Sequence, residues 1–183
     1  MIPDLHSFSD IHTHGHVGPD VVCSIEPSEP LIGDYGQAWY SVGIHPWSTV
    51  SAVSDDTFDR LEAMAADPRV VAVGEAGFDA VRGGDAAIQE DVFVRQALLA
   101  EKVEKPLVVH CVRRYGRILE LHKAISPRQL WIIHGFRGKP ELARQLSAAG
   151  IGISLALPRP EIEAIVPPSL LFHETDGKSP AGQ

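Results

Sequence analysis

Cysteine is nearly missing from this sequence. Cys23 and Cys111 are the only two among 183 residues, and their spacing forms neither a thiolate metal motif nor a disulfide framework. Such usage suits a reducing compartment. Long apolar runs are missing too, so no segment is expected to cross a bilayer. The first nine residues carry neither a basic region nor an extended apolar core, so no secretory leader is expected. Positive charge is in deficit, with 16 lysines and arginines against 24 aspartates and glutamates, a net charge of −8. Proteins that bind polyanions through their overall field are usually basic. Any phosphate recognition here must therefore be local. No repeat, low-complexity tract or linker divides the chain. These absences leave a soluble, cytoplasmic protein with one domain over residues 1–183, long enough for one sizeable core.

What is present is a regular alternation. Short apolar runs at 8–12, 21–25, 39–44, 70–73, 106–110, 130–134, 151–155 and 170–174 read as strands. Amphipathic stretches at 55–65, 87–103, 116–125 and 140–149 read as helices, with a short one at 161–165 between prolines. Pro27 and Pro30 block a long helix after the second strand. Eight strands alternating with helices imply a parallel sheet closed as a TIM-type (β/α)8 barrel. Such barrels run to about 250 residues, with about 200 near the lower end. The expected form is therefore shortened or distorted, with reduced helical cover over the first two crossovers and after strand eight. An open α/β sheet is the alternative.

Residues two apart in a strand share a side. His12 and His14 therefore aim at one point at the end of strand one, with Asp10 behind them. Glu75 ends strand four, His110 strand five and His134 strand six, and Asp176 follows strand eight. All lie at the C-terminal strand ends, where barrel active sites are built. Four imidazoles and two carboxylates gathered there suit one or two divalent cations, zinc, manganese or magnesium, with Glu75 able to bridge a pair.

The order of these motifs resembles the TatD family of metal-dependent hydrolases, within the amidohydrolase-like barrels. Asp10-Ile11-His12-Thr13-His14 is similar to that family's DxHxH. Gly43-Ile44-His45-Pro46-Trp47 is similar to GxHPH, with Trp47 in place of the last histidine. Val73-Gly74-Glu75-Ala76-Gly77-Phe78-Asp79 resembles GEIGLD; Phe93, Gln96, Ala100, Pro106 and His110 follow its glutamine helix and PVxIH. His134-Gly135-Phe136-Arg137-Gly138 follows HCFSG, and Glu174-Thr175-Asp176 follows ETD. The match runs from about Ser9 to Gly177. The resemblance implies His12, His14, Glu75, His110, His134 and Asp176 as metal ligands, and a phosphodiesterase or deoxyribonuclease activity.

The departures touch the loops. Val112 stands where the family usually has a basic residue, and Arg113 and Arg114 follow it. Gly177 and Lys178 replace Ala-Pro after ETD, and seven residues follow Asp176, too few for a final helix. Apolar side chains there, such as Ile11 and Leu171, are then expected at the surface, and a homodimer is expected to cover them.

In the expected reaction, metals polarise the scissile group and lower the pKa of water. Asp176 holds a metal and orients or deprotonates that water, and Glu75 bridges or holds the pair. His45, Arg113 and Arg137, with Arg114 and Lys139 nearby, hold a phosphoester substrate such as DNA. Glu174 is expected to support the ligands from behind; His6, His122 and His173 read as structural, His16 as solvated and Cys111 as buried. Two other classes of answer are a non-catalytic metal- or anion-binding domain and an amidohydrolase acting on a small amide or lactone. The latter favours a carboxylated lysine where Glu75 stands. A PHP-type phosphatase also begins with HxH but fits Glu75 and ETD less well.

Overall fold

The computed structural model describes residues 3–177. β1 (Asp10–Thr13), β2 (Val21–Ile25), β3 (Trp39–Val42), β4 (Val70–Asp79), β5 (Leu107–Val112), β6 (Trp131–Ile133), β7 (Gly152–Leu155) and β8 (Leu171–His173) form one sheet in chain order. Every neighbouring pair is parallel. The sheet curls until β1 meets the residues just after β8. There Asp176 N donates to His12 O (3.1 Å) and His14 N to Gly177 O (2.8 Å). Asp10 adds a side-chain clasp, accepting from Thr175 N (3.1 Å) and Thr175 Oγ1 (2.6 Å). The result is the nearly closed barrel that the alternation predicts.

The helical cover is reduced where the prolines imply. α1 (Asp55–Ala65), α2 (Ala86–Val103), α3 (Tyr115–Ile125), α4 (Pro140–Ala148) and the single turn α5 (Pro160–Glu163) follow β3 to β7. No helix lies between β1 and β2 or between β2 and β3. Side chains pin the β2–β3 loop instead. Tyr40 Oη donates to Ile32 O (2.6 Å) and accepts from Ile32 N (3.1 Å), and Arg69 donates to Gly33 O (2.8 Å). Helix starts are set locally: Ser54 Oγ accepts from Thr57 N at α1, and Asp85 Oδ1 from Ala87 N and Ile88 N at α2. Residues 178–183, including Lys178, lie outside the described residues.

Two apolar layers flank the sheet. Outside, Phe93 of α2 packs against Trp131 of β6 at 5.1 Å, edge to face, within a layer that includes Leu61, Ile118 and Leu146. Inside, Leu5, Ile11, Val22, Trp39, Val71, Ile132 and Phe172 fill the floor of the barrel. The turn Leu5–Ser7 caps that floor, with His6 stacked on Phe172 at 4.2 Å. The exposure expected of Ile11 does not occur. It is 1 % exposed, because the register of β1 against β2 shifts between Asp10 and Thr13 and breaks simple alternation. Leu171 is half-buried. Of the two side chains named for the expected homodimer, only Leu171 keeps some exposure.

β4 differs most from its expected span. It runs ten residues, not four, and Glu75 lies in its middle. The pairing with β5 shifts between Val73 and Ala76. Gly74 and Gly77 there have φ of 129° and 156°, and a Cβ would strike Val108 O at the first and His110 O at the second. Gly74, which read as the strand end, and Gly77 are instead the two points where β4 and β5 approach closely.

α2 positions two of the strand-end loops. Gln96, wholly buried, accepts from Ile44 N (2.7 Å) and donates to Ile44 O (3.0 Å). Two turns earlier on the same face, Gln89 accepts from Asp79 N (2.8 Å) and donates to the carbonyls of Asp79, Arg82 and Gly84. The glutamines fix the backbone next to His45 and at Asp79. Gln96→Leu would leave a buried N–H and C=O unpaired. It is expected to lower unfolding free energy by about 2–4 kcal/mol in urea titrations, and a loss within measurement error would show that Ile44 finds other partners.

Candidate metal centre

The sequence-derived residues converge at the C-terminal mouth of the barrel, and their centre is the Glu75 carboxylate. Its two oxygens face different groups. Oε2 faces β1, with His12 Nε2 at 3.3 Å and His14 Nε2 at 3.8 Å. Oε1 faces the other side, with His110 Nδ1 at 2.6 Å, His134 Nε2 at 2.6 Å and His45 Nε2 at 3.0 Å. Asp176 Oδ1 completes the first side, 3.5 Å from His14 Nε2 and 3.9 Å from His12 Nε2. Ligand-type atoms of His12, His14 and Glu75, of His12, His134 and Asp176, and of His45, Glu75 and His110 lie within 4.8 Å of one another.

Hydrogen bonds behind the rings sort their roles. His110 turns Nε2 to Asp79 Oδ2 (3.3 Å) and His134 turns Nδ1 to Glu174 Oε1 (3.4 Å). A carboxylate accepts, so with a cation at the centre each ring would keep its proton on the outer nitrogen and free the inner lone pair for the ion. That is the carboxylate–histidine arrangement that supports metal ligands. His45 is wired the other way. Its Nδ1 accepts from Trp47 N (3.1 Å), which leaves Nε2 as a donor toward Glu75. His45 therefore both closes the turn Pro46–Thr49 and points a proton into the site. Asp10 accepts from His12 N (3.0 Å), not from its ring.

The donor set fits cations. Three imidazole nitrogens crowd one carboxylate oxygen, more than its two lone pairs hold as hydrogen bonds. His12 Nδ1 is buried with no hydrogen-bond partner. Burial would push the Glu75 carboxyl up, but the charge of His134 and hydrogen bonds from His110, His12 and His134 hold it well below its usual value. Burial likewise lowers His134, yet the charge of Glu75 and the hydrogen bond to Glu174 raise it well above the usual histidine value. Burial and the charge of His134 lower His12. The hydrogen bond to Asp176 raises His14 and depresses Asp176. The metal-free centre thus holds anionic carboxylates and excess imidazole protons, where cations would substitute for the protons.

Two cavities open beside this centre and share Trp47, His110, His134 and Asp176. One, of about 470 Å³, is walled by Glu26, Glu29, Ser24 and His45. The other, of about 720 Å³, is walled by Arg113, Arg137 and Tyr115. Arg114 and Lys139 sit instead at the N-terminal ends of α3 and α4. Glu174 stands behind His134 as expected, His16 and His173 are exposed, and Cys111 is buried on the helix side of β5. Sequence reading missed the working roles of Asp79 and Glu26. Asp79 lies four residues from Glu75 on the same strand side, a spacing that could have flagged it. Glu26, which accepts from His45 N (3.1 Å) and Ser48 Oγ (2.6 Å), had no such signal.

A family model described as TatD related DNase matches residues 16–180. The 3'-5' ssDNA/RNA exonuclease TatD of Cronobacter turicensis is 31% identical over 159 residues, which cover 78% of this chain and 58% of that protein. Its counterpart in Escherichia coli (strain K12) is 28% identical over 162 residues, 82% of this chain and 62% of that protein. The chain thus spans about three-fifths of the length of these relatives. The crystal structure of YJJV, a TatD homolog from Escherichia coli, superposes with a TM-score of 0.74 at 23% identity, covering 94% of this chain and 80% of that one. A TatD family hydrolase from Entamoeba histolytica gives 0.66 at 20% identity, covering 85% and 60%. These two likenesses show the fold.

Cation binding should expel protons from His134 and His14, whose pKa values are raised in the metal-free protein. Affinity for zinc should therefore rise with pH, about tenfold per pH unit for each proton displaced. Calorimetry in buffers of different ionisation enthalpy counts those protons, and a count of zero would contradict this protonation scheme. Asp79→Asn should weaken zinc binding by about 10- to 100-fold by freeing the His110 ring. An unchanged affinity would reduce Asp79 to a partner of Trp47 alone.

Proposed function

Because the chain belongs to the TatD related DNase family, we propose that it is a divalent-metal-dependent hydrolase of phosphoester bonds whose substrate is a nucleic acid strand, DNA first. The observation that carries this reading is the two-sided Glu75 carboxylate, with two imidazoles near one oxygen and three near the other. We assign His12, His14 and Asp176 to one cation, His110 and His134 to a second, and Glu75 to both. Four imidazoles suit zinc or manganese better than calcium. Such cations would polarise the phosphoryl oxygens and acidify a water molecule.

The remaining work falls to side chains. Asp176 borders both cavities, where it would orient the attacking water and take its proton. His45 offers its Nε2 proton to a phosphate oxygen, and Arg113 and Arg137 clamp the neighbouring phosphate from the basic cavity. All these groups sit on one barrel, in keeping with a single hydrolase domain over 1–183. No helix among the described residues is long and apolar enough to cross a membrane. Both cysteines are free and buried, which supports a cytoplasmic location.

The test is Arg137→Ala. It should raise KM for a DNA substrate roughly tenfold or more while leaving metal content unchanged. Wild-type binding should weaken steeply with added salt as phosphate contacts release counterions, with a shallower slope in the variant. An unchanged KM and slope would remove the phosphate clamp. Turnover of amides but not phosphodiesters would overturn the hydrolase assignment.

A further inference from the structure

Among the described residues, Trp47 is the one large exposed aromatic that lines the mouth of the barrel. Of the other large apolar side chains exposed among the described residues, such as Ile32, Tyr35, Leu98 and Leu157, none lines either central cavity, whereas Trp47 lines both. Nearly half its surface, 46 %, faces solvent. The ring is also held rigidly. Its Nε1 donates to Asp79 Oδ2 (2.7 Å), and it stands edge-on to His45 at 4.8 Å. Its backbone is tied to His45 Nδ1 in the turn Pro46–Thr49. The Arg82 guanidinium lies over one face of the ring, 4.7 Å from its centroid, which leaves the other face for a ligand. Bracing Asp79 does not by itself require that the ring line both cavities beside the catalytic groups.

The charges on either side of the ring point to what it meets. On the acidic side, Glu26 and Glu29 would repel any phosphate beyond the one under attack. On the basic side, Arg113 and Arg137 attract phosphate. A strand crossing the ridge must therefore keep its phosphates to the basic side and turn uncharged parts toward Trp47 and the acidic cavity. Each nucleobase has a flat face, and stacking on an aromatic side chain contributes about 1–3 kcal/mol per base, whatever the sequence.

We propose that Trp47 is a stacking platform for the terminal nucleobase of a single strand, seating that nucleoside against the acidic cavity while the strand's phosphates leave across Arg113 and Arg137. The proposal rests on the nucleic acid reading above and adds the group that selects bases over bare phosphodiester. Glu26 forms the wall opposite, held by His45 N and Ser48 Oγ.

Two probes separate the proposal from that reading: a short phosphorothioate oligothymidylate and an abasic phosphorothioate strand of equal length. The metal-loaded protein should prefer the thymidylate strand by about 5- to 150-fold, the factor that one stacked base supplies. Trp39 and Trp131 are buried, so quenching of tryptophan emission by the thymidylate strand reports Trp47. Trp47→Phe should keep most of the preference, and Trp47→Ala should abolish it. If Phe and Ala behave alike, the indole acts through its hydrogen bond to Asp79 and the stacking role is overturned. Equal binding of both strands by the wild type, without quenching, overturns the platform while the nucleic acid reading stands. Binding of neither strand overturns both.

Discussion

The Glu75 carboxylate is the constraint on which the rest depends. It is buried among five imidazoles drawn from four strands or strand ends, three of them within 3.0 Å of one oxygen. A buried carboxylate is costly unless paired and hydrogen-bonded. Much of the barrel's local architecture serves to bring those partners to it. Asp10 clasps the end of β1 to Thr175, which brings His12 and His14 beside Asp176. Gln96 and Gln89 hold the backbone next to His45 and at Asp79. Glycines at 74 and 77 let β4 approach β5 closely enough for Glu75 to reach His110.

Half of the barrel's helical cover is thin, yet the centre is well enclosed. The floor is closed from below by Leu5 and Phe172. The unhelical β2–β3 connection is held through Tyr40 and Arg69. It supplies Glu26 and Glu29 to one wall of the mouth. The heavier α2, α3 and α4 stand behind β4 to β7, the side that carries Glu75, His110 and His134. Electrostatic asymmetry follows from this construction: carboxylates come from the loop after β2, guanidinium groups from the loops after β5 and β6.

Much of this was legible in the sequence because strand parity and strand-end position survive folding. His12, His14, Glu75, His110, His134 and Asp176 were readable as one cluster, and the prolines at 27 and 30 foretold a missing helix. Legibility failed where alternation failed. The shifted register of β1 sends Ile11 into the floor, and the irregularity at Gly74 lets β4 run on to Asp79. The second layer was harder still. Glu26 and the proton position on His45 depend on which backbone N–H or ring nitrogen lies near, and no spacing encodes that. In the sequence Trp47 is only a departure from a family pattern; its exposure and its place between the cavities belong to the fold.

The most direct measurement is a crystal structure of the protein loaded with manganese, with the ions located by anomalous scattering. Two peaks are expected, one on each side of the Glu75 carboxylate, the first contacted by His12, His14 and Asp176 and the second by His110 and His134. A single ion that Glu75 does not touch, or ions bound elsewhere with Glu75 still hydrogen-bonded to three imidazoles, would contradict the bridging role on which the proposed chemistry stands.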